Sequence, residues 1–359
     1  MHTFKNFKNF ADAEIDLSKP MTLLIGRNGS GKSNVIEGVE LFSKLQLNKL
    51  LEITDIGQGG QLEIRGGLQG CFRQGTNYFQ VRVKTKSSPP LAVYHYELNV
   101  KSNPISLNMN GAMPSPSGSL VYDEIFKKTF VFDIYPRTMR QYSPIGLNQL
   151  SRNGSNISSV LYYLKQNQSD ILEGILRNIK QLPEEEFVSF EFITTSDNSD
   201  VLFALKYPNG EIISAKLLSD GTLRALAILT ALETVPEGSR IIIEEIDNGI
   251  HPSKAKMLID AIWERSKERK LNTLITTHNP ATLDSLNDEQ LECVVVCHYD
   301  KQSESAKLTP FFELPRVGVL LQKGKLGNLV TRNVIERYLE PDFEERRKTK
   351  IKSWMEIVE

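Results

Sequence analysis

Apolar residues in this chain fall into short uninterrupted runs and alternating stretches that mark strands, separated by segments with helical spacing. The clearest run is Met21 to Ile25, which predicts a buried strand, followed by helical spacing over Asn34 to Leu45. Ahead of it, Phe7-Lys8-Asn9-Phe10 and Ala13 to Leu17 read as strand material, with Ser18-Lys19-Pro20 as a turn. Tyr78 to Val83 and Leu91 to Val100 alternate, and Ser87 to Pro90 is the turn between them. Thr129 to Ile134 reads as another buried strand. Ser155 and Ser169 stand where N-caps would, ahead of helical patterns over Ile157–Lys165 and Ile171–Lys180. Phe187 to Ile213 returns to strands around a hairpin turn at Pro208-Asn209-Gly210.

The second half alternates strand and helix more regularly. An apolar helix follows Lys216 to Thr222, Arg240 to Ile243 is a strand, a helix covers about Ser253 to Lys267, and Leu271 to Thr277 is a strand. This order predicts an α/β sheet. Leu47 to Gly70 is glycine-rich, Asn108 to Ser119 has the composition of a mobile loop, and Asn333 to Leu339 has an amphipathic helical pattern suited to docking a partner. No internal repeat and no long heptad segment is present, which excludes an extended coiled-coil arm.

Length and composition narrow this picture modestly. The 359 residues suffice for one large α/β domain or a core with a substantial insertion. With 40% hydrophobic and 24% charged residues the chain reads as globular. A formal net charge of −1 gives no electrostatic case for a dedicated nucleic-acid binder. Three cysteines do not make a disulfide framework, so a reducing compartment fits. Cys293 and Cys297 lie in one strand-like run, where residues four apart are roughly 13 Å from each other, too far for one zinc ion. The first ten residues lack a signal-peptide core and no run matches a membrane span, so the expected location is cytoplasmic.

The chemistry concentrates in four places. Gly26 to Ser33 reads G-x-x-x-x-G-K-S between a buried strand and a helix, the context a phosphate-binding loop requires. There Lys32 would reach the β- and γ-phosphates of a nucleoside triphosphate, and the Ser33 hydroxyl would be a Mg²⁺ ligand. Glu244 and Glu245 end an apolar strand; the first can hold the Mg²⁺ hydration shell and the second can orient the attacking water. His278 ends another buried strand and suits the γ-phosphate or its water, with a structural role as the alternative. Ser219-Asp220-Gly221 opens a helix and suits an anion, although taken alone it is an N-cap.

The succession GRNGSGKSN, LSDGTLRALAIL, IIIEEIDNGIHP and TLITTHNP resembles the ABC-type ATPases of the SMC/RecF/OLD-like branch, as does the opening Phe7-Lys8-Asn9-Phe10. The resemblance runs from the first strand to His278, and it is weak between the first two motifs. It implies an α/β, ABC-type P-loop nucleotide-binding domain with a mixed strand and helix insertion, or lid, between Walker A and the signature motif. The segments would be 1–46 (first lobe with Walker A), 47–215 (insertion), 216–300 (second lobe) and 301–359 (C-terminal extension). Gly26, Asn28, Gly29, Ser30, Gly31, Lys32, Ser33 and Asn34 would contact the nucleotide, and Lys8 would be a minor contact. Ser219 and Gly221 would be the signature, Glu244 and Glu245 Walker B, Asn248 to His251 the D-loop, and His278 the switch histidine.

The resemblance further implies ATP and Mg²⁺ as ligands and a homodimer with two ATP molecules sandwiched head to tail. The signature reads LSDG in place of LSGG, Glu244 stands where aspartate is usual, and His251 replaces a D-loop aspartate. The Q-loop glutamine is unassigned, with Gln58, Gln69 and Gln74 as candidates. The expected role is a switch or regulator for an effector in trans, a nuclease or TOPRIM-type protein, in anti-phage defence or DNA repair. Alternatives are a RecF-like clamp on DNA and a transporter ATPase subunit. The neutral charge speaks against the clamp, and the basic run Arg346 to Lys352 reads as a solvated C-terminal helix face, with support for the clamp as the alternative.

Overall fold

The structure is a computed structural model that describes residues 1–44, 53–55, 62–86, 93–102, 105–111, 128–182 and 186–340, together with Phe343 and Thr349. Gln58, the turn 87–90, residues 112–119 and the basic run 346–352 (Thr349 apart) lie outside the described residues.

The chain opens as a hairpin of β1 (His2–Phe7) and β2 (Phe10–Ile15), so Lys8 and Asn9 form a turn within the expected strand. Buried β3 (Met21–Ile25) and helix α1 (Lys32–Lys44) follow. Two short strands, β4 (Ile53–Thr54) and β5 (Leu62–Glu63), precede the long β6 (Tyr78–Lys86), β7 (Val93–Ser102) and β8 (Ile105–Gly111). Then come β9 (Thr129–Phe132), α2 (Pro136–Met139), β10 (Ser143–Pro144), α3 (Ile157–Asn167) and α4 (Ser169–Lys180). Strands β11 (Ser189–Thr194), β12 (Asp200–Lys206) and β13 (Ile212–Ser214) lead into α5 (Asp220–Thr234). Next are β14 (Arg240–Ile243), α6 (Pro252–Glu268), β15 (Asn272–Thr276), α7 (Pro280–Asp284) and α8 (Asp288–Leu291). The described chain closes with β16 (Val294–Asp300), β17 (Ser305–Pro310), α9 (Val317–Gln322), α10 (Leu326–Thr331) and α11 (Val334–Tyr338).

Two local expectations fail for physical reasons. Asn108 to Gly111 is strand rather than loop, because β8 pairs antiparallel with β7 in the register Asn108↔Asn99 to Gly111↔Tyr96. Backbone pairing there outweighs a composition poor in strand formers. Ser155 and Ser169 are not N-caps. The cap residues are Asn156 and Gln168, and neither makes a side-chain cap hydrogen bond. The Ser155 hydroxyl instead meets that of Ser151.

The residues form two compact units. The first comprises Met1–Asp16, Leu24–Met113 and Leu291–Glu359. Its antiparallel sheet runs β2-β1-β6-β7-β8, so strands from before and after α1 share one sheet. Phe4, Phe7, Phe10 and Phe79 are buried together, with contacting ring centroids 5.5–6.0 Å apart, because Asn6 at φ 50° interrupts the alternation that would set Phe4 and Phe7 on opposite faces. This cluster meets α1 closely at Gly38, where a Cβ would lie 2.5 Å from the Phe4 ring. In the same unit β16 pairs antiparallel with β17, burying Cys297.

The second unit comprises Leu17–Leu23 and Pro114–Gln290. Its main sheet places β3, β15, β14 and β9 as successive neighbours. β14 pairs parallel with β15 and β9 in the registers Ile241↔Thr273 and Ile241↔Phe130. Parallel strands buried on both faces explain the run of three isoleucines, and their carboxyl ends are where such sheets hold ligands. Helix α5 is buried nearly throughout, and α3 packs on the antiparallel sheet β10-β12-β11, to which β13 adds. No described helix is long and apolar enough to cross a membrane.

Candidate functional site

The residues read from the sequence gather in two groups, one in each unit. In the first, β3 delivers the chain into the loop Gly26–Gly31, where Gly26, Gly29 and Gly31 have φ of 147°, 78° and 120°. Those angles are open to glycine and strained for other residues. A Cβ on Gly26 would collide with the Cys297 carbonyl oxygen, and one on Gly31 would lie 2.8 Å from the Asn9 amide. Lys32, the first residue of α1, turns back so that Nζ donates to the Gly26 and Arg27 carbonyl oxygens at 2.6 and 3.0 Å. Ser33 is the next residue of this turn, and no acid lies there to offset the positive helix end. Asn28 and Gly29 are exposed at the tip, while Ser30 is buried. The loop is therefore a cradle fitted to a phosphate chain, with its cation already inside it.

A polar chain braces this cradle. Asn9 donates to the Ser30 carbonyl at 3.1 Å, Asn34 donates to Asn9 at 2.7 Å, and Arg65 donates to Asn34 at 3.1 Å. Lys8 is engaged elsewhere. Its Nζ lies 2.7 Å from Glu37 Oε2 and donates to the Arg65 carbonyl at 2.9 Å, with a side chain only 8% exposed. Asn9 and Arg65 are not among the site residues legible in the sequence, where Asn9 reads as strand material and Arg65 falls in a glycine-rich stretch.

Beside the loop lies a cavity of about 330 Å³ lined by Arg27, Ser30, His298, Tyr299, Glu336 and Leu339, among others. Among the described residues, Ser30 Oγ, His298 Nδ1 and Glu336 Oε2 are buried without a hydrogen-bond partner. Burial pushes the His298 pKa down, with Asp300 opposing and Lys307 reinforcing the shift. The amphipathic segment 333–339 thus contributes to this wall.

In the second group, Glu244 continues the ladder beyond β14, its N–H donating to the Phe132 carbonyl at 3.1 Å. Its carboxylate lies 3.8 Å from Arg152 Nη2. Glu245 turns into the left-handed region at φ 47°, exposing its side chain. Its N–H donates to Thr276 Oγ1 at 2.9 Å, and its carboxylate accepts from Asn248 Nδ2 at 3.1 Å. The carbonyl accepts from Arg224 Nη1 at 3.3 Å, which ties α5 to this residue. Burial pushes the Arg224 pKa down, opposed by Asp133, Glu245, Asp220 and Asp247. Asp247 accepts from the Thr277 hydroxyl, and His278 follows as an exposed residue.

Ser219 caps α5 by accepting from the Thr222 N–H at 3.0 Å. Gly221 packs so closely on the segment 248–251 that a Cβ would lie 2.9 Å from the Gly249 carbonyl oxygen. The histidine at position 251 has a local reason: its Nδ1 caps α6 by accepting from the Ser253 N–H at 3.3 Å. At the end of β9, beside β14, stands Asp133, and Gln69 and Gln74 lie in the first unit.

Residues 103–284, half of the chain, match the family model described as "AAA domain, putative AbiEii toxin, Type IV TA system". The chain belongs to this AAA-domain family. Residues 3–111 of this AAA-domain protein also match a model described as "AAA ATPase domain". The DNA replication and repair protein RecF of Picosynechococcus sp. is 36% identical over 87 residues, 24% of the chain and 22% of the relative. The chain thus spans about a fifth of the length of that RecF protein. An ATP/GTP phosphatase of Helicobacter pylori is 22% identical over 321 residues, 79% of the chain and 86% of the relative.

Among solved structures, an SMC head bound to the C-winged helix domain of ScpA aligns at a TM-score of 0.56 with 16% identity, covering 86% of the chain and 96% of that structure. An Smc head domain with an extended coiled coil, bound to the C-terminal domain of ScpA from Pyrococcus furiosus, aligns at 0.54 with 14% identity, covering 90% and 98%. The fold of this AAA-domain protein is that of an SMC-head, ABC-type P-loop ATPase, as the sequence resemblance implied.

Proposed function

We propose that this chain binds and hydrolyses ATP, dimerises around it, and acts as a switch for a partner effector. The observation that carries the reading is the Gly26–Gly31 cradle with Lys32 folded into it, a loop whose glycine backbone and cation suit a phosphate chain. Gly26, Asn28, Gly29, Ser30, Gly31 and Asn34 bind or brace the phosphates, and Lys32 offsets their charge. Ser33 and Glu244 supply hard oxygen donors that fit Mg²⁺, which when bound neutralises charge on the phosphates. Glu245 orients the attacking water and takes its proton as the water oxygen bonds to the γ-phosphorus and the bond to the β-phosphate bridge breaks. His278 holds the departing phosphate. Ser219 and Gly221 meet the ATP of a second copy.

The segments 1–46, 47–215, 216–300 and 301–359 serve as first lobe, lid, second lobe and extension. A reducing, cytoplasmic setting fits three buried cysteines that form no disulfide among the described residues. The effector is a nuclease or TOPRIM-type protein in trans, in anti-phage defence or DNA repair. The RecF similarity favours a second reading, an ATP-dependent clamp on DNA. Glu245→Gln tests the common core: it should hold ATP, fail to turn it over and run as a dimer in size-exclusion chromatography. A monomer with ATP bound would overturn the sandwich. Binding to duplex DNA at low salt, with ATP present, separates the clamp from the switch.

A further inference from the structure

Helix α5 begins with an unfavourable charge for its proposed task. The unpaired N–H groups at a helix start attract anions, yet its first residue, Asp220, carries a carboxylate. That carboxylate is not left alone. Its Oδ1 lies 2.7 Å from Nη2 of Arg140, and the same nitrogen donates to the Leu218 carbonyl at 2.7 Å. One guanidinium therefore grips the chain on both sides of Ser219, by the backbone before it and by the side chain after it. Arg140 follows directly on α2, whose Pro136 and Met139 are buried, so the cation is carried by an anchored segment. Its side chain is 24% exposed against 59% for Asp220, leaving the pair at the surface where a ligand can reach it.

We infer that Arg140 is a positioning residue for the signature loop, and that it cancels the charge of Asp220 so that the α5 N-terminus can receive the terminal phosphate of ATP held by a second copy of the chain. The inference rests on the ATP-sandwich reading above. It accounts for the aspartate at position 220, which would otherwise repel a triphosphate at the one place the helix favours it. An arginine suits the role because its charge does not titrate and its planar head presents several donors at fixed angles.

The test compares ATP turnover of the parent, Arg140→Ala and Arg140→Ala with Asp220→Asn, all as full-length chain. Arg140→Ala should lower kcat on the order of 10-fold, below the roughly 10²–10³-fold lost with a donor that touches the developing charge itself, because Arg140 acts through the loop it holds. Binding of a fluorescent ATP analogue to the chain's own phosphate loop, measured at concentrations where it is monomeric, should stay within twofold. Adding Asp220→Asn should recover most of the lost kcat, because the repelling charge has gone with its counter-ion. If the double variant is no better than Arg140→Ala, the arginine serves only the Leu218 carbonyl and charge cancellation is wrong. Unchanged turnover in Arg140→Ala alone would also overturn it. A parent that neither hydrolyses ATP nor dimerises with it would sink the sandwich reading itself, before any variant is made.

Discussion

Replacing Lys8 with methionine separates two roles for the first hairpin. The lysine could contact the nucleotide, as the family resemblance implies, or it could serve the ion pair it makes with Glu37. That pair is 2.7 Å long with side chains 8% and 11% exposed. Breaking a buried pair typically costs about 3–5 kcal/mol, because one charge is stranded. Here Arg65 Nε still reaches Glu37 Oε1 at 2.7 Å from a half-exposed side chain, so part of the compensation survives. The expected loss is about 2–3 kcal/mol. Glu37→Gln keeps hydrogen-bonding atoms and should cost less, and the double variant should fall short of the sum by about 1–2 kcal/mol. Urea unfolding followed by circular dichroism reads the stability, and KM for ATP in the same buffer reads the contact. A Lys8→Met chain of parental stability whose KM rises tenfold would refute the structural role and make Lys8 a nucleotide ligand.

Lys32→Ala should abolish ATP hydrolysis and weaken nucleotide binding; undiminished turnover would move the working site away from the cradle. Ser219→Arg should leave nucleotide binding by the isolated chain intact and stop hydrolysis, and retained turnover in a steady-state assay would argue against a site completed by a second copy. Thr276→Val removes the acceptor of the Glu245 N–H while keeping the side-chain shape, so a stability loss of about 1–2 kcal/mol is expected together with a lower kcat. Burial pushes the Cys71 and Cys297 thiols up to about 12 and about 11, so their thiolates are scarce at neutral pH. A thiol reagent at pH 8 should find no reactive cysteine in the folded chain and three after denaturation.

Much of the site was legible because its parts are local. An uninterrupted apolar run into G-x-x-x-x-G-K-S has one strong structural reading, and three isoleucines before two glutamates can end only a buried strand. The hairpin at Pro208-Asn209-Gly210 was equally plain, with Gly210 at φ 84°. What stayed hidden depends on partners far apart in the chain. Arg140 and Asp220 are separated by eighty positions, and nothing local to either announces the other. Lys8 looked available for a phosphate until Glu37, one helix away, was placed against it. Ser155 has the chemistry of a cap, but the polar turn Ser151–Asn156 satisfies its own groups and leaves the helix to start later. The strand β9 was legible, yet only its pairing with β14 puts Asp133 at the sheet end next to Glu244.

The backbone at Glu245 has a consequence for how relatives of this chain diverge. A residue with a Cβ at φ 47° costs of order 1 kcal/mol or more, which glycine or asparagine would largely avoid. If Glu245 orients the water as proposed, drift toward greater stability pushes against the carboxylate, and only selection for turnover keeps it in place. Under that proposal, a relative that carries glycine or asparagine at this position would be a sturdier protein that holds nucleotide without hydrolysing it. In genomes, that single letter would sort timers from latches.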